Sequence, residues 1–172
     1  DDEGVFTDNN VGLGHCRLSI IDLTECAHQP MQSQDKRYIL SYNGEVYNFR
    51  ELRKELESLG RSFKSQSDSE VVLQAYEKWG KDCVLKFNGM FAFVIYDSKR
   101  SEFFMARDRY GIKPLYYAYF GQSFMVASEQ KAFVPHPQFK SELDYEAMLE
   151  YFTFQNIFTN KTFNTSAKLF PP

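Results

Sequence analysis

The sequence predicts an α+β fold with mainly antiparallel sheets, and three observations carry that reading. Strand-like segments outnumber helical ones, most neighbouring strands are separated only by turn residues, and two capped helices follow one another in the first half of the chain. The strands of the middle region are nearly continuous apolar runs, which implies sheets covered on both faces. Two stacked sheets with helices outside is the arrangement expected.

The opening residues, Asp1-Asp2-Glu3-Gly4, read as an acidic loop. Residues 11–22 alternate as a strand, with Cys16, Leu18 and Ile20 on one face and Arg17 and Ser19 on the other. After a polar loop containing Pro30, residues 37–42 form a second strand that ends at an Asn43-Gly44 corner. Asn48 is placed to cap a helix with Glu51 three residues on, the capping-box spacing. Phe49, Leu52, Leu56 and Leu59 make its apolar stripe, and Gly60 ends it. Ser67 with Glu70 repeats the box for a second helix, whose Val72, Ala75, Tyr76 and Trp79 face inward before Gly80. Residues 90–96 and 103–107 are strands joined by the turn Asp97-Ser98-Lys99-Arg100, and residues 115–120 and 124–127 form a hairpin around Gly121-Gln122-Ser123. Asp144 caps a last amphipathic helix through Tyr145, Met148, Leu149 and Phe152; from Thr153 the chain reads as irregular.

Composition narrows the function classes. The 172 residues suffice for one domain with a sizeable core, or for one domain and the start of another. Seventeen Phe and eleven Tyr make that core unusually aromatic. The net charge is −3 with basic and acidic residues interleaved, which argues against nucleic acid or an anionic membrane as partner. No apolar stretch is long enough to span a bilayer, and nothing at the start resembles a signal peptide. Cys16, Cys26 and Cys83 are odd in number and lack CxxC spacing, as expected of reduced thiols in a cytosolic protein. The absence of an initiator Met and the end at Pro171-Pro172 read as a fragment.

Several polar residues interrupt apolar patterns, and each has two readings. An Asn-Gly corner can present a side-chain amide and an unobstructed backbone N–H in the same direction, the donor pair an oxyanion hole needs. Asn-Gly is also a common turn. Arg17 within a strand could clamp a carboxylate bidentately, or simply face solvent. Asp68 in a first helical turn could accept a substrate ammonium, or only complement the helix dipole. His15, His28 and His136 show no metal-ligand spacing. The loop from Arg107 to Pro114 lacks the glycine density of a phosphate loop and reads as a turn locked by ion pairs. Cys16 reads as a buried strand cysteine.

Taken in order, the runs Gly14-His15-Cys16-Arg17-Leu18-Ser19-Ile20-Ile21-Asp22, Gln29-Pro30-Met31 and Tyr42-Asn43-Gly44-Glu45-Val46-Tyr47-Asn48-Phe49 resemble the glutaminase domain of glutamine-hydrolysing asparagine synthetases, a branch of the class II glutamine amidotransferases. Ser67-Asp68-Ser69-Glu70, Asn88-Gly89-Met90-Phe91-Ala92-Phe93, the run Ala106-Arg107-Asp108-Arg109-Tyr110-Gly111-Ile112-Lys113-Pro114-Leu115-Tyr116-Tyr117 and Ala127-Ser128-Glu129 extend the likeness over residues 1–135. Residues 136–172 look like the linker and truncated start of a synthetase domain. The resemblance implies a four-layer αββα fold of the N-terminal-nucleophile hydrolases. It implies an N-terminal cysteine that attacks the glutamine amide with its own α-amine as base, and ammonia passed to a synthetase domain of the same chain that uses ATP and Mg2+. By the same resemblance Arg17 would hold the glutamine α-carboxylate, Asp68 its ammonium, Asn43 and Gly44 the oxyanion, and Glu45 would line the pocket. No cofactor or metal is expected in this domain, L-glutamine is the expected ligand, and a homodimer stays open as an assembly.

The family's nucleophile is not in the chain, since none of Cys16, Cys26 and Cys83 is N-terminal, so the polypeptide as given is expected to be inactive. The alternatives are an amidotransferase with another acceptor, or a non-catalytic module of the same fold.

Overall fold

The computed structural model describes residues 2–17 and 27–172. These fall into two compact units, Asp1–Ala106 and Arg107–Pro172. The α+β class with antiparallel pairing is the one the chain adopts.

The first unit opens with a hairpin of β1 (Asp2–Asp8) and β2 (Val11–Arg17), paired from Asp2↔Arg17 to Asp8↔Val11. The residues expected as an acidic loop are thus a strand: acidic composition argued against one, but the partner strand supplies the pairing. Asn9 turns the hairpin at φ 47, a conformation Asn tolerates. Leu13 is buried and Cys16 is exposed, the reverse of the expected face, because this two-stranded ribbon has an open side. The rest of the predicted 11–22 strand lies outside the described residues.

A four-stranded sheet follows in the order β3 (Met31–Gln32), β4 (Tyr38–Val46), β5 (Gly89–Asp97), β6 (Glu102–Arg107). Leu40, Tyr42, Val46, Phe91, Phe93 and Ile95 point from one face into the main core. There they meet Leu52 and Leu56 of α1 (Phe49–Ser58) and Val71, Val72 and Ala75 of α2 (Asp68–Trp79). The other face carries the β1–β2 hairpin: the Ser41 hydroxyl donates to the Gly14 carbonyl at 3.4 Å, and the Tyr96 hydroxyl to Asp8 at 3.2 Å. Both faces are covered, as the apolar runs implied.

The helix ends show two kinds of cap. Ser67 accepts the Glu70 N–H at 3.3 Å, as the box spacing predicts. The Glu70 carboxylate binds the Lys64 and Ser65 N–H groups rather than returning to Ser67, which ties the preceding loop to the helix. Asn48 precedes α1 but makes no side-chain cap. Its amide instead accepts the Asn88 N–H and donates to the Lys86 carbonyl, both at 2.9 Å, pinning the entry to β5. The sequence spacing was right and the partner was not, because a tertiary contact outbid the local one.

In the second unit, β7 (Tyr116–Phe120) lies between β8 (Ser123–Ala127) and β9 (Ala167–Leu169). The segment expected as irregular therefore returns a strand. Asp144 caps α3 (Tyr145–Phe154) by accepting the Ala147 N–H at 3.0 Å. The expected inward face of α3 is open instead: Tyr145, Leu149 and Phe152 are each at least 70% exposed, and Ala147 alone of the helix is buried.

Candidate functional site

The Asn43-Gly44 pair is not a corner. It lies inside β4, whose pairing with β5 runs unbroken from Tyr38↔Asp97 to Val46↔Gly89, with Asn43 opposite Ala92 and Gly44 opposite Phe91. Glycine is required here by close approach of the neighbouring strand. A Cβ on Gly44 would sit 2.3 Å from the Met90 carbonyl oxygen and 2.6 Å from Phe91 Cα. An Asn-Gly dipeptide signals a turn only when nothing pairs with it; here β5 does.

The ladder alternation assigns each N–H of β4 an edge. The Tyr47 N–H bonds to the Asn88 carbonyl at 2.8 Å, and Arg37 accepts from Ser98 at the far end. Odd-numbered residues of β4 therefore bond toward β5, and even-numbered ones present their N–H to the opposite edge. Two of these are filled by side chains. The Tyr42 N–H donates to Gln29 Oε1 at 2.7 Å, and the Val46 N–H to Asp68 Oδ2 at 3.0 Å. The Gly44 N–H lies between them on the same edge, two residues from each, and no hydrogen bond among the described residues is recorded for it on that edge. Asn43 and Glu45, at the strand period of two, share the face that carries the hairpin.

Asp68 opens α2 and is 5% exposed. Besides the Val46 N–H, its Oδ2 accepts the Tyr42 hydroxyl at 2.6 Å. Burial, and next the Asp68 charge, raise the Tyr42 phenol far above its ordinary range, so it remains a donor to that carboxylate. Arg17 ends β2 opposite Asp2. Two residues before it, His15 lies 3.4 Å from the Ser41 hydroxyl, on the β4 face that also carries Asn43. The Arg17 side chain is outside the described features.

The structure thus sets Asn43, Gly44 and Glu45 on consecutive positions of β4, about 3.3 Å per residue, with Asp68 bound to the Val46 N–H beyond them. Two residues of this neighbourhood had no role assigned from sequence, Gln29 and Tyr42. The available signal was a polar Gln and a phenol within otherwise apolar stretches. Among the described residues no three His, Cys, Asp or Glu stand together to hold a metal, and no helix is long and apolar enough to cross a membrane.

The Arg107–Pro114 loop is locked through its backbone. Asp108, 1% exposed, accepts the N–H groups of Tyr110, Ile112 and Lys113 at 2.9–3.1 Å. Arg107 donates to the carbonyls of Gly111, Lys113 and Phe170. Cys83 is buried, and burial pushes its thiol up to about 12, which keeps it unreactive.

The family profile of the glutamine amidotransferase domain matches residues 1–172. Asparagine synthetase [glutamine-hydrolyzing] 3 of Bacillus subtilis is 44% identical over 88% of the chain, which corresponds to 25% of that relative. Asparagine synthetase [glutamine-hydrolyzing] 1 of the same organism is 40% identical over 100% of the chain and 27% of its own length. The chain spans about a quarter of the length of these curated relatives. Among solved structures, the glutamine phosphoribosylpyrophosphate amidotransferase of B. subtilis complexed with ADP and GMP superposes with a TM-score of 0.62 at 28% identity, over 72% of this chain and 28% of that one.

Proposed function

Because the chain belongs to the glutamine amidotransferase domain family, we propose that it is the glutamine-hydrolysing part of an asparagine synthetase. The observation that carries the reading is the Gly44 N–H, held between two side-chain-capped neighbours on the β4 edge with Asn43 beside it. Glutamine would lie along this edge. Its amide oxygen meets the Gly44 N–H and the Asn43 amide as the tetrahedral intermediate forms, where two fixed donors stabilise the oxyanion more than the ground-state carbonyl. Its ammonium meets Asp68, one strand repeat of about 6.6 Å away, on the order of the length of an extended glutamine. Arg17 takes the α-carboxylate and Glu45 lines the pocket. The nucleophile is an N-terminal cysteine of the full-length protein, with the α-amine as base. Ammonia then serves ATP- and Mg2+-dependent amidation of aspartate in the synthetase part of the same polypeptide. The exposed aromatic face of α3, within residues 136–172, is the surface offered to that part. Free Cys16 and buried Cys83 suit the reducing cytosol.

The test is Asn43→Ala in the full-length protein. Glutamine hydrolysis should fall by roughly 10²–10³, the loss of one oxyanion donor. A near-normal rate sinks the assignment. Ammonia-dependent synthesis should be retained in the same variant.

A further inference from the structure

The β3–β4 register sets Met31 opposite Leu40 and Gln32 opposite Ile39. Continued by two residues, that register places Gln29 opposite Tyr42. There the ladder changes kind. The rung is made by the Gln29 side chain: Oε1 accepts the Tyr42 N–H at 2.7 Å and Nε2 donates to the Tyr42 carbonyl at 3.2 Å. Nε2 also reaches the Ser69 hydroxyl at 3.4 Å, which links the amide to the first turn of α2. A carboxamide carries the same acceptor and donor as a peptide group, so it can replace one residue of a neighbouring strand. Gln29 is 5% exposed and its amide makes these bonds out of water, where they are costly to lose.

A true strand at this edge would run on and consume the Gly44 N–H. A side chain supplies one rung and stops. On the far side, Asp68 supplies one rung at Val46 and stops as well. The edge is thereby held at two points, and among the described residues no bond fills the one N–H between them.

We propose that Gln29 is a positioning residue for glutamine hydrolysis: its amide stands in for a missing strand at Tyr42 and so fixes the direction of the Gly44 N–H without occupying it. This rests on the glutaminase reading above. The Gln29 amide is taken up by Tyr42 and Ser69, so its effect is on alignment of the donor in the transition state. A misplacement on the order of 1 Å in such a donor costs up to about a hundredfold in rate.

The experiment uses the full-length protein with Gln29→Leu, which fills the volume and makes neither bond, and Gln29→Glu, which retains an acceptor for the Tyr42 N–H and loses the donor. The kcat for glutamine hydrolysis per titrated active site should fall about tenfold to a hundredfold in Gln29→Leu and by less in Gln29→Glu, with glutamine KM within about threefold. Amide exchange supplies the readout that does not depend on turnover: the Tyr42 N–H should be protected in the parent protein and lose protection in Gln29→Leu. If Gln29→Leu does not fold, Gln29→Met, which likewise makes neither bond, carries both measurements. Parent kcat in the variants, a rise in KM at unchanged kcat, or an equally protected Tyr42 N–H would overturn the proposal. If the parent protein hydrolyses no glutamine, the glutaminase reading fails, and Tyr42 exchange alone decides whether Gln29 holds the rung.

Discussion

The β4 segment around Gly44 and the loop from Arg107 to Pro114 use the same residue types in opposite ways. Each has a glycine, an arginine or amide and a buried aspartate near exposed backbone. In the loop, Asp108 takes three N–H groups and Arg107 takes two carbonyls, so these backbone groups are satisfied from within, and Arg107 also takes the Phe170 carbonyl. At β4, Gln29 and Asp68 satisfy Tyr42 and Val46 and skip the residue between. Buried main-chain groups are almost always paired. A loop that pairs its own backbone is rigid, whereas among the described residues the strand edge leaves the rung at Gly44 unfilled. Glycine density or charge would not have separated the two; the destination of each hydrogen bond does.

The glycines offer the strongest way to break the comparison. Gly44→Ala would place a Cβ against backbone atoms of β5, which cannot rotate away, so β4 and β5 must part. The expected loss is about 3 kcal/mol, at the upper end of overpacking costs, and the glutamine hydrolysis proposed for the full-length protein should be abolished. Thermal unfolding and a rate assay check both. Gly111, by contrast, has φ 63, and a Cβ there would meet first a side chain, the Arg107 guanidinium, rather than a paired strand, so its alanine variant should cost about 1–2 kcal/mol as backbone strain. Equal costs at the two sites would remove the distinction.

Asp108→Asn tests the loop alone. It keeps the shape and replaces a charged acceptor of three N–H groups, and about 2 kcal/mol of stability should go, lowering Tm by roughly 4–8 °C. Glutamine KM measured well below that Tm should stay at the parent value; a shifted KM would mean that the loop, too, serves the ligand.

The smallest effect is the response to alkali. Burial raises the phenols of Tyr38, Tyr42 and Tyr76. A group whose folded pKa lies above its unfolded one contributes stability that is complete below the unfolded pKa. That stability is lost as pH rises from about 10 toward the folded value. Unfolding free energy should therefore be level below about pH 9 and decline above 10. Tyr42→Phe should soften the decline while releasing Asp68. An identical alkaline limb in Tyr42→Phe would show that the Tyr42–Asp68 bond does not hold this edge.

Local patterns were legible where local physics decides. The Ser67 and Asp144 caps, the glycine ends at Gly60 and Gly80 and the β7–β8 hairpin all follow from residues within a few positions of one another. The candidate site was legible as residue types, Asn43, Gly44, Glu45 and Asp68, but not as geometry. Asn43-Gly44 reads as a turn because its partner strand lies about fifty residues away in sequence. Gln29 shows no purpose until the β3–β4 register puts it opposite Tyr42. The outward face of α3 reads as core because an amphipathic stripe records that something covers it, not what.

By itself the sequence determined the α+β class, the approximate strand and helix segments and the family, since periodicity, caps and ordered motifs are written in neighbouring residues. Only the tertiary structure decided that Gly44 sits within a ladder, which of its neighbours' N–H groups are taken, and that among the described residues nothing takes its own. Hydrogen-bond direction on a strand alternates with pairing, and pairing is a property of two distant segments, fixed only when both are in place.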